Sequence, residues 1–296
     1  MSPRRRVRLP ALLAAPTLLL GLTLTGCGSS DDSDSAADAP DGGSPASVDG
    51  DLLASRTDAY QAYTVDEAET MLTATKAFTD AVRAGDVEAA KAAYADSRYH
   101  WETIEPIAGL VSDVDGAVDS RVDDFASVDD PAFTGWHRLE YILWKTGALN
   151  AESEQIATQL DQDLAELPQL IEGLEMTPKD VALGAAGLIE EVSEGKLTGE
   201  EDRYSHTDLY DLAANVNGSF RAFQTYEPVL VQVDKPLEQK IEQGFLDAKS
   251  LLSDYQRPDG SYESFLELSK ADKQQLQAKL ATLSEDLSTV PGVLAL

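Results

Sequence analysis

Thr64-Val65-Asp66-Glu67 is a capping box, in which the threonine hydroxyl accepts from the amide three residues on and the glutamate carboxylate reaches back to the first one. Ala68, Met71, Leu72, Thr75, Phe78, Ala81 and Val82 follow at spacings of three and four, the period of one buried helical face, until Gly85. The spacing predicts a helix that begins at Thr64 and stops at Gly85. Asp86 caps a second helix through Val87, Ala90, Tyr94, Ser97 and Trp101 toward Glu105-Pro106. A third amphipathic stretch covers 135–145 and is stopped by Gly147, and 152–174 and 177–195 give two more. The latter is opened by Thr177-Pro178, with Asp180 as a first-turn acid. Further helices are expected over 207–226, 235–253 and 270–287, the last two separated by the turn Arg257-Pro258-Asp259-Gly260. No segment alternates β-branched and polar residues, so the fold class is all-α. Roughly seven or eight helices of about 20 residues, each able to hide one apolar stripe, must pack as bundles. Thr103-Ile104-Glu105-Pro106-Ile107 and Thr225-Tyr226-Glu227-Pro228-Val229 echo each other, each read as the end of a long helix. The echo suggests two related helical halves.

The chain of 296 residues carries 53 acidic and 23 basic side chains, a formal net charge of −30. Such a surface repels phosphate backbones and anionic headgroups, which disfavours nucleic-acid binding and favours cations. The N-terminus is a targeting segment. Arg4, Arg5, Arg6 and Arg8 precede an apolar run from Leu9 to Thr25, too short and too broken by Pro10 and Pro16 for a lasting membrane span. Leu24-Thr25-Gly26-Cys27 then looks like a bacterial lipobox, with Cys27, the single cysteine, as the lipidated first residue. Cleavage removes four arginines and no acid and lowers the net charge from −30 to −34. Electrostatics cannot hold such a chain on a bilayer, but a diacylglyceryl group can. Residues 1–26 are therefore expected to be a signal peptide and 27–54 a lipid-anchored, disordered spacer. The helical domain is expected over 55–296, on the outer side of the cell membrane, facing the periplasm or the exterior.

Nucleophilic and phosphate chemistry find no support. The chain has no Gly-x-Ser-x-Gly elbow, no His-Glu-x-x-His and no Gly-x-x-x-x-Gly-Lys, and only three histidines, His100, His137 and His206. Carboxylates with one imidazole remain. His137 and Glu140 are three apart on a predicted helix and share a face, and so do Glu102 and Glu105. Tyr99, Trp101, Trp136, Tyr141 and Trp144 surround them, and acids in such surroundings escape the desolvation penalty only with something positive between them. Two readings fit. Either a metal ion supplies that charge, or the acids face solvent or pair with Arg98, Arg121 and Arg138. An oxygen-rich donor set with one imidazole and no sulfur suits Fe³⁺, Fe²⁺, Mn²⁺ or Zn²⁺ and disfavours Cu(I).

Four blocks, taken in order, carry a resemblance. They are Arg98-Tyr99-His100-Trp101-Glu102-Thr103-Ile104-Glu105-Pro106-Ile107-Ala108, Thr134-Gly135-Trp136-His137-Arg138-Leu139-Glu140, Gly199-Glu200-Glu201-Asp202-Arg203-Tyr204-Ser205-His206-Thr207-Asp208-Leu209 and Ala214-Asn215-Val216-Asn217-Gly218. Over about residues 55–295 the chain resembles the EfeO-type iron-uptake lipoproteins of the imelysin-like family. The resemblance implies paired four-helix bundles and an envelope iron carrier that works with an EfeU-like permease and an EfeB-like haem peroxidase. It implies Glu102, Glu105, His137 and Glu140 as metal ligands, iron as the cargo and zinc or another divalent cation as a substitute. Asp119 and Glu201 are the implied further acids, with Asp123 or Asp124 and Glu200 as neighbouring alternatives. Larger members carry an N-terminal cupredoxin domain, which the short spacer here leads us not to expect. The family is also classed with peptidases, so metal-dependent hydrolysis is the alternative activity.

Overall fold

The computed structural model describes residues 48–296, so the expected signal peptide, Cys27 and most of the expected spacer lie outside the described residues. The first helix, α1 (Gly50–Arg83), starts well before the expected capping box, inside the stretch read as spacer. Asp49 is its N-cap, accepting from the Leu52 amide at 3.0 Å. Leu53, Thr57, Tyr60 and Thr64 extend the buried three-and-four stripe N-terminally into that of Ala68, Met71 and Phe78. Thr64 therefore lies on the core face, where its hydroxyl donates to the Gln61 carbonyl at 2.8 Å instead of capping anything. Packing of the preceding turns outweighs a local signal worth about 1 kcal/mol.

The expected elements otherwise recur, with two divided. Next come α2 (Val87–Ile104), capped by Asp86, and a 3₁₀ turn over Glu105–Leu110, followed by the unexpected short α3 (Ser112–Val118). Then α4 (Gly135–Tyr141) runs into a π turn, Ile142–Thr146, which Gly147 ends in the left-handed conformation. The 152–174 stretch is two helices, α5 (Ala151–Leu164) and α6 (Leu167–Glu172). As expected, Thr177-Pro178 opens α7 (Pro178–Glu194) with Asp180 in its first turn, and the structure adds that Thr177 and Asp180 cap each other reciprocally. Three long helices complete the chain: α8 (Asp208–Val233), α9 (Lys235–Ser253) and α10 (Lys270–Val293). Among the described residues there are ten α-helices, more than expected and more uneven, from 6 residues in α6 to 34 in α1, and no strand, only an isolated bridge between Gln256 and Tyr262. The Glu-Pro echo does not mark equivalent ends, because Pro106 opens the 3₁₀ turn whereas Pro228 lies inside α8. No helix among the described residues is long and apolar enough to cross a membrane.

Two apolar cores result. Tyr60, Met71 and Phe78 of α1 pack with Tyr94 and Trp101 of α2, Trp136 and Leu139 of α4 and Leu160 of α5. The second core joins α7, α8, α9 and α10 through Ile189, Phe223, Phe245 and Leu280. Each such side chain contributes about 2 kcal/mol by leaving water. α2 packs on α8, and buried polar residues of these two helices, joined by others from α4 and from the segments after α3 and α7, form the site.

Candidate metal centre

Two glycines bring the backbone close enough to build it. Gly135, at φ +74°, starts α4 against the end of α3, and a β-carbon there would lie 2.1 Å from the Val118 carbonyl oxygen. The next residue after Val118 is Asp119, which is thereby set beside His137. Gly218 does the same for α8, since its β-carbon would meet the Thr103 carbonyl oxygen at 2.0 Å. That approach lets Asn215, one turn earlier on α8, reach the carboxylates of α2.

All six residues expected as ligands enter one polar network, but not as one ligand shell. His137 is 2% exposed and central. Its Nδ1 lies 3.4 Å from Glu140 Oε2 and its Nε2 lies 3.4 Å from Asp119 Oδ1, while Nε2 itself has no hydrogen-bond partner. One oxygen each of Asp119 and Glu201 with His137, or of Glu140 and Asp202 with His137, come close enough together to hold an ion. Glu140 is half committed elsewhere, because its Oε1 accepts from the Tyr204 and Ser205 amides, both at 2.7 Å, and from Ser205 Oγ at 3.0 Å. The chain then reverses through His206, a non-glycine residue at φ +60°.

Glu102 and Glu105 are gathered by nitrogen. Lys196 Nζ donates to Glu102 Oε2 at 3.0 Å and to both oxygens of Glu105 at 2.7 Å. Asn215 Nδ2 donates to Glu102 Oε2 at 2.9 Å and to Glu105 Oε2 at 2.7 Å. The fully buried Arg98 guanidinium bridges Glu102 and Asp119 and lies over the Trp136 ring at 5.6 Å. Of the arginines weighed as partners, Arg98 thus pairs inside the site. Arg121 joins Glu201 at 2.9 Å, and Arg138 turns away to Glu152. Asp123 pairs with Arg203, Glu200 lies near the same guanidinium at 4.0 Å, and Asp124 caps its own turn at Arg121.

These contacts set the charges. Burial pushes the Asp119 carboxyl up, but the adjacent Arg98 and His137 outweigh it and hold it well below the usual carboxylate range. Burial and Arg98 push the His137 imidazole down, and the neighbouring Asp119 and Glu140 carboxylates reverse this and lift it to about 9. Burial, only partly offset by Lys196, raises Glu105 well above normal.

The network opens on one side into a cleft of about 390 Å³ lined by Glu105, Asp115, Asp119, Arg121, Asp124, Glu191 and Glu201. Burial, and then the charge of Asp119, push Asp115 on its wall up to about 6. Such a mouth concentrates cations.

The fold is thus that of an all-helical protein with a buried imidazole set among carboxylates behind an acid-lined cleft, where donor atoms of three residues come close enough together to hold a cation. The chain belongs to the imelysin family, named also for the peptidase class M75, whose profile matches residues 56–290. It is 46% identical over 238 residues to the iron uptake system component EfeO of Yersinia pestis and 45% identical over 239 residues to that of Escherichia coli K12. Each alignment covers 80% of this chain, which spans 63% of the length of these relatives. The fold matches an imelysin-like protein from Psychrobacter arcticum with a TM-score of 0.55, at 13% identity, over 83% of this chain and 93% of that one. It also matches a protein from Parabacteroides distasonis, provisionally assigned as an iron-regulated protein A precursor, with a TM-score of 0.68. That match has 14% identity over 85% of this chain and 97% of the other.

Proposed function

We propose that this protein binds iron, or a similar hard or borderline cation, at the inner end of the acidic cleft and passes it to a membrane permease. The observation that carries the reading is His137 Nε2, a buried nitrogen without a hydrogen-bond partner that faces Asp119 on the cleft side. In this arrangement Asp119, His137 and Glu201 bind the ion first, and Glu102 and Glu105 complete an oxygen-rich shell. Glu140 grips Nδ1 and fixes the ring, as carboxylates behind metal-bound histidines do. The EfeO relatives, which are named as components of an iron uptake system, support iron as the cargo; an EfeU-like permease and an EfeB-like peroxidase are the partners that the sequence resemblance implies.

Calorimetric titration should show stoichiometric binding of ferric and zinc ions, and saturation should raise Tm by about the amount that mass action sets, roughly 3 kcal/mol of stability at a hundredfold excess over Kd. Absence of heat and of any Tm shift for every ion overturns the reading. A casein assay on the metal-loaded sample should stay at background. A hydrolase needs a base free to take a proton from water, whereas Glu140 Oε1 already accepts three donors.

Anchoring through Cys27 is the other half of the proposal, resting on Leu24-Thr25-Gly26-Cys27. Cys27→Ser should move the protein from the detergent phase and membrane fraction into the periplasm or medium, measured by Triton X-114 partition and fractionation. Unchanged partition refutes it.

A further inference from the structure

Lys196 has no place among the ligands, yet it sits in their midst. It is 1% exposed, and its Nζ contacts Glu102, both oxygens of Glu105 and, at 3.5 Å, Glu201 Oε1. Glu102, buried in the last turn of α2, and Glu105, part-buried where the following 3₁₀ turn opens, are acids set side by side, an arrangement that favours a cation between them. The ammonium is that cation. A metal ion bound by Asp119, His137 and Glu201 would share Glu201 with it and lie within a few ångströms of a like charge.

We propose that Lys196 is a built-in competitor for the cargo, holding Glu102 and Glu105 while no ion is bound and leaving them when one arrives. The inference rests on the metal-carrier reading above and adds to it a means of release. The ammonium regains the same carboxylates as the ion departs, so unloading leaves no naked charge behind.

The two internal cations differ in the way this role requires. Arg98 projects from the middle of α2, with its planar fork on two carboxylates and its face on Trp136. Lys196 sits on a single 3₁₀ turn, Lys196–Thr198, and Gly199 at φ +80° follows it before the segment that carries Glu201. Its stem is an unbranched chain bearing a compact charge, which can swing as a rigid guanidinium clamp cannot.

The test compares the full-length protein with Lys196→Met, which keeps the stem's bulk and removes the charge, and with Lys196→Arg, which keeps the charge. Zinc and ferric nitrilotriacetate are the probes. Lys196→Met should bind at least tenfold more tightly, about 1.4 kcal/mol, with a lower Tm without metal and a near-wild-type Tm at saturation. Lys196→Arg should bind no more tightly than the wild type. Acetic anhydride labelling of the wild type, read by mass spectrometry, should show Lys196 protected without metal and several-fold more reactive when loaded. This arm decides the matter even if Lys196→Met does not fold. Equal or weaker binding by a folded Lys196→Met overturns the proposal, and so does unchanged protection of Lys196. A wild type that binds both ions while Lys196 behaves in these ways defeats the competitor alone, whereas a wild type that binds neither defeats the carrier reading beneath it.

Discussion

His137→Ala should weaken ferric and zinc binding by roughly a hundredfold or more, measured by calorimetry or chelator competition, while the helical circular dichroism stays that of the wild type. His137 supplies the only nitrogen in the proposed shell, and its Nε2 is the one donor there without a competing partner. Every carboxylate of that shell already answers to Arg98, Lys196, Arg121 or Asn215. The ion must therefore outcompete a cation or an amide at each oxygen, and at His137 it displaces at most a proton. Glu140→Gln should cost less, about ten- to a hundredfold, the range found for groups that orient a metal-bound histidine. Its amide can keep one contact to the ring but presents an NH₂ where the Tyr204 and Ser205 amides now donate. An effect of Glu140→Gln larger than that of His137→Ala would make Glu140 a ligand in its own right and shift the ion to the Glu140–Asp202 side.

The helical half of this picture was legible because it rests on local chemistry. Asp86, Thr177-Pro178, Gly85 and Gly147 act within one turn of where they stand, and the structure keeps each in its expected role. Thr64 misled because a capping box reports only that a helix can start there, not that the preceding turns lack a partner, and Leu53 and Tyr60 have one. The same-face pairs Glu102–Glu105 and His137–Glu140 were visible for the same local reason, a spacing of three. What neutralises them was not. Lys196 meets Glu102 across 94 residues and Asn215 across 113. Gly195-Lys196-Leu197-Thr198-Gly199 reads like any surface turn. Asp202, Asp208 and Asp211 are likewise fully or almost fully buried, yet among 53 acids nothing local tells a sealed aspartate from a solvated one. Only the helix contact that Gly218 permits reveals them.

Arg98→Met should be the most destabilising single change in the site, lowering stability by about 3–5 kcal/mol and Tm by roughly 10 °C for a domain of this size. The guanidinium pairs with Glu102 and Asp119 and has Glu201, Asp202 and Asp211 within 3.6–3.7 Å, so five buried carboxylates share its charge, although Glu102 and Glu201 also draw on Lys196. Burial alone would push the Arg98 guanidinium down, but Asp119 and Glu102 raise it, so it stays charged throughout the pH range of the folded protein. Methionine fills much of the same volume over Trp136, which makes the loss electrostatic rather than a cavity effect. Asp211 already has both oxygens without hydrogen-bond partners, and removing Arg98 strips its nearest counter-charge as well. A divalent or trivalent ion placed among the same acids should restore part of the stability. The Tm gain on zinc saturation should therefore be larger in Arg98→Met than in the wild type. A variant that loses little stability, or whose loss is untouched by zinc, would show that the carboxylates are neutralised by protons rather than by Arg98. The charge balance on which both the metal site and its internal competitor rest would then have to be redrawn.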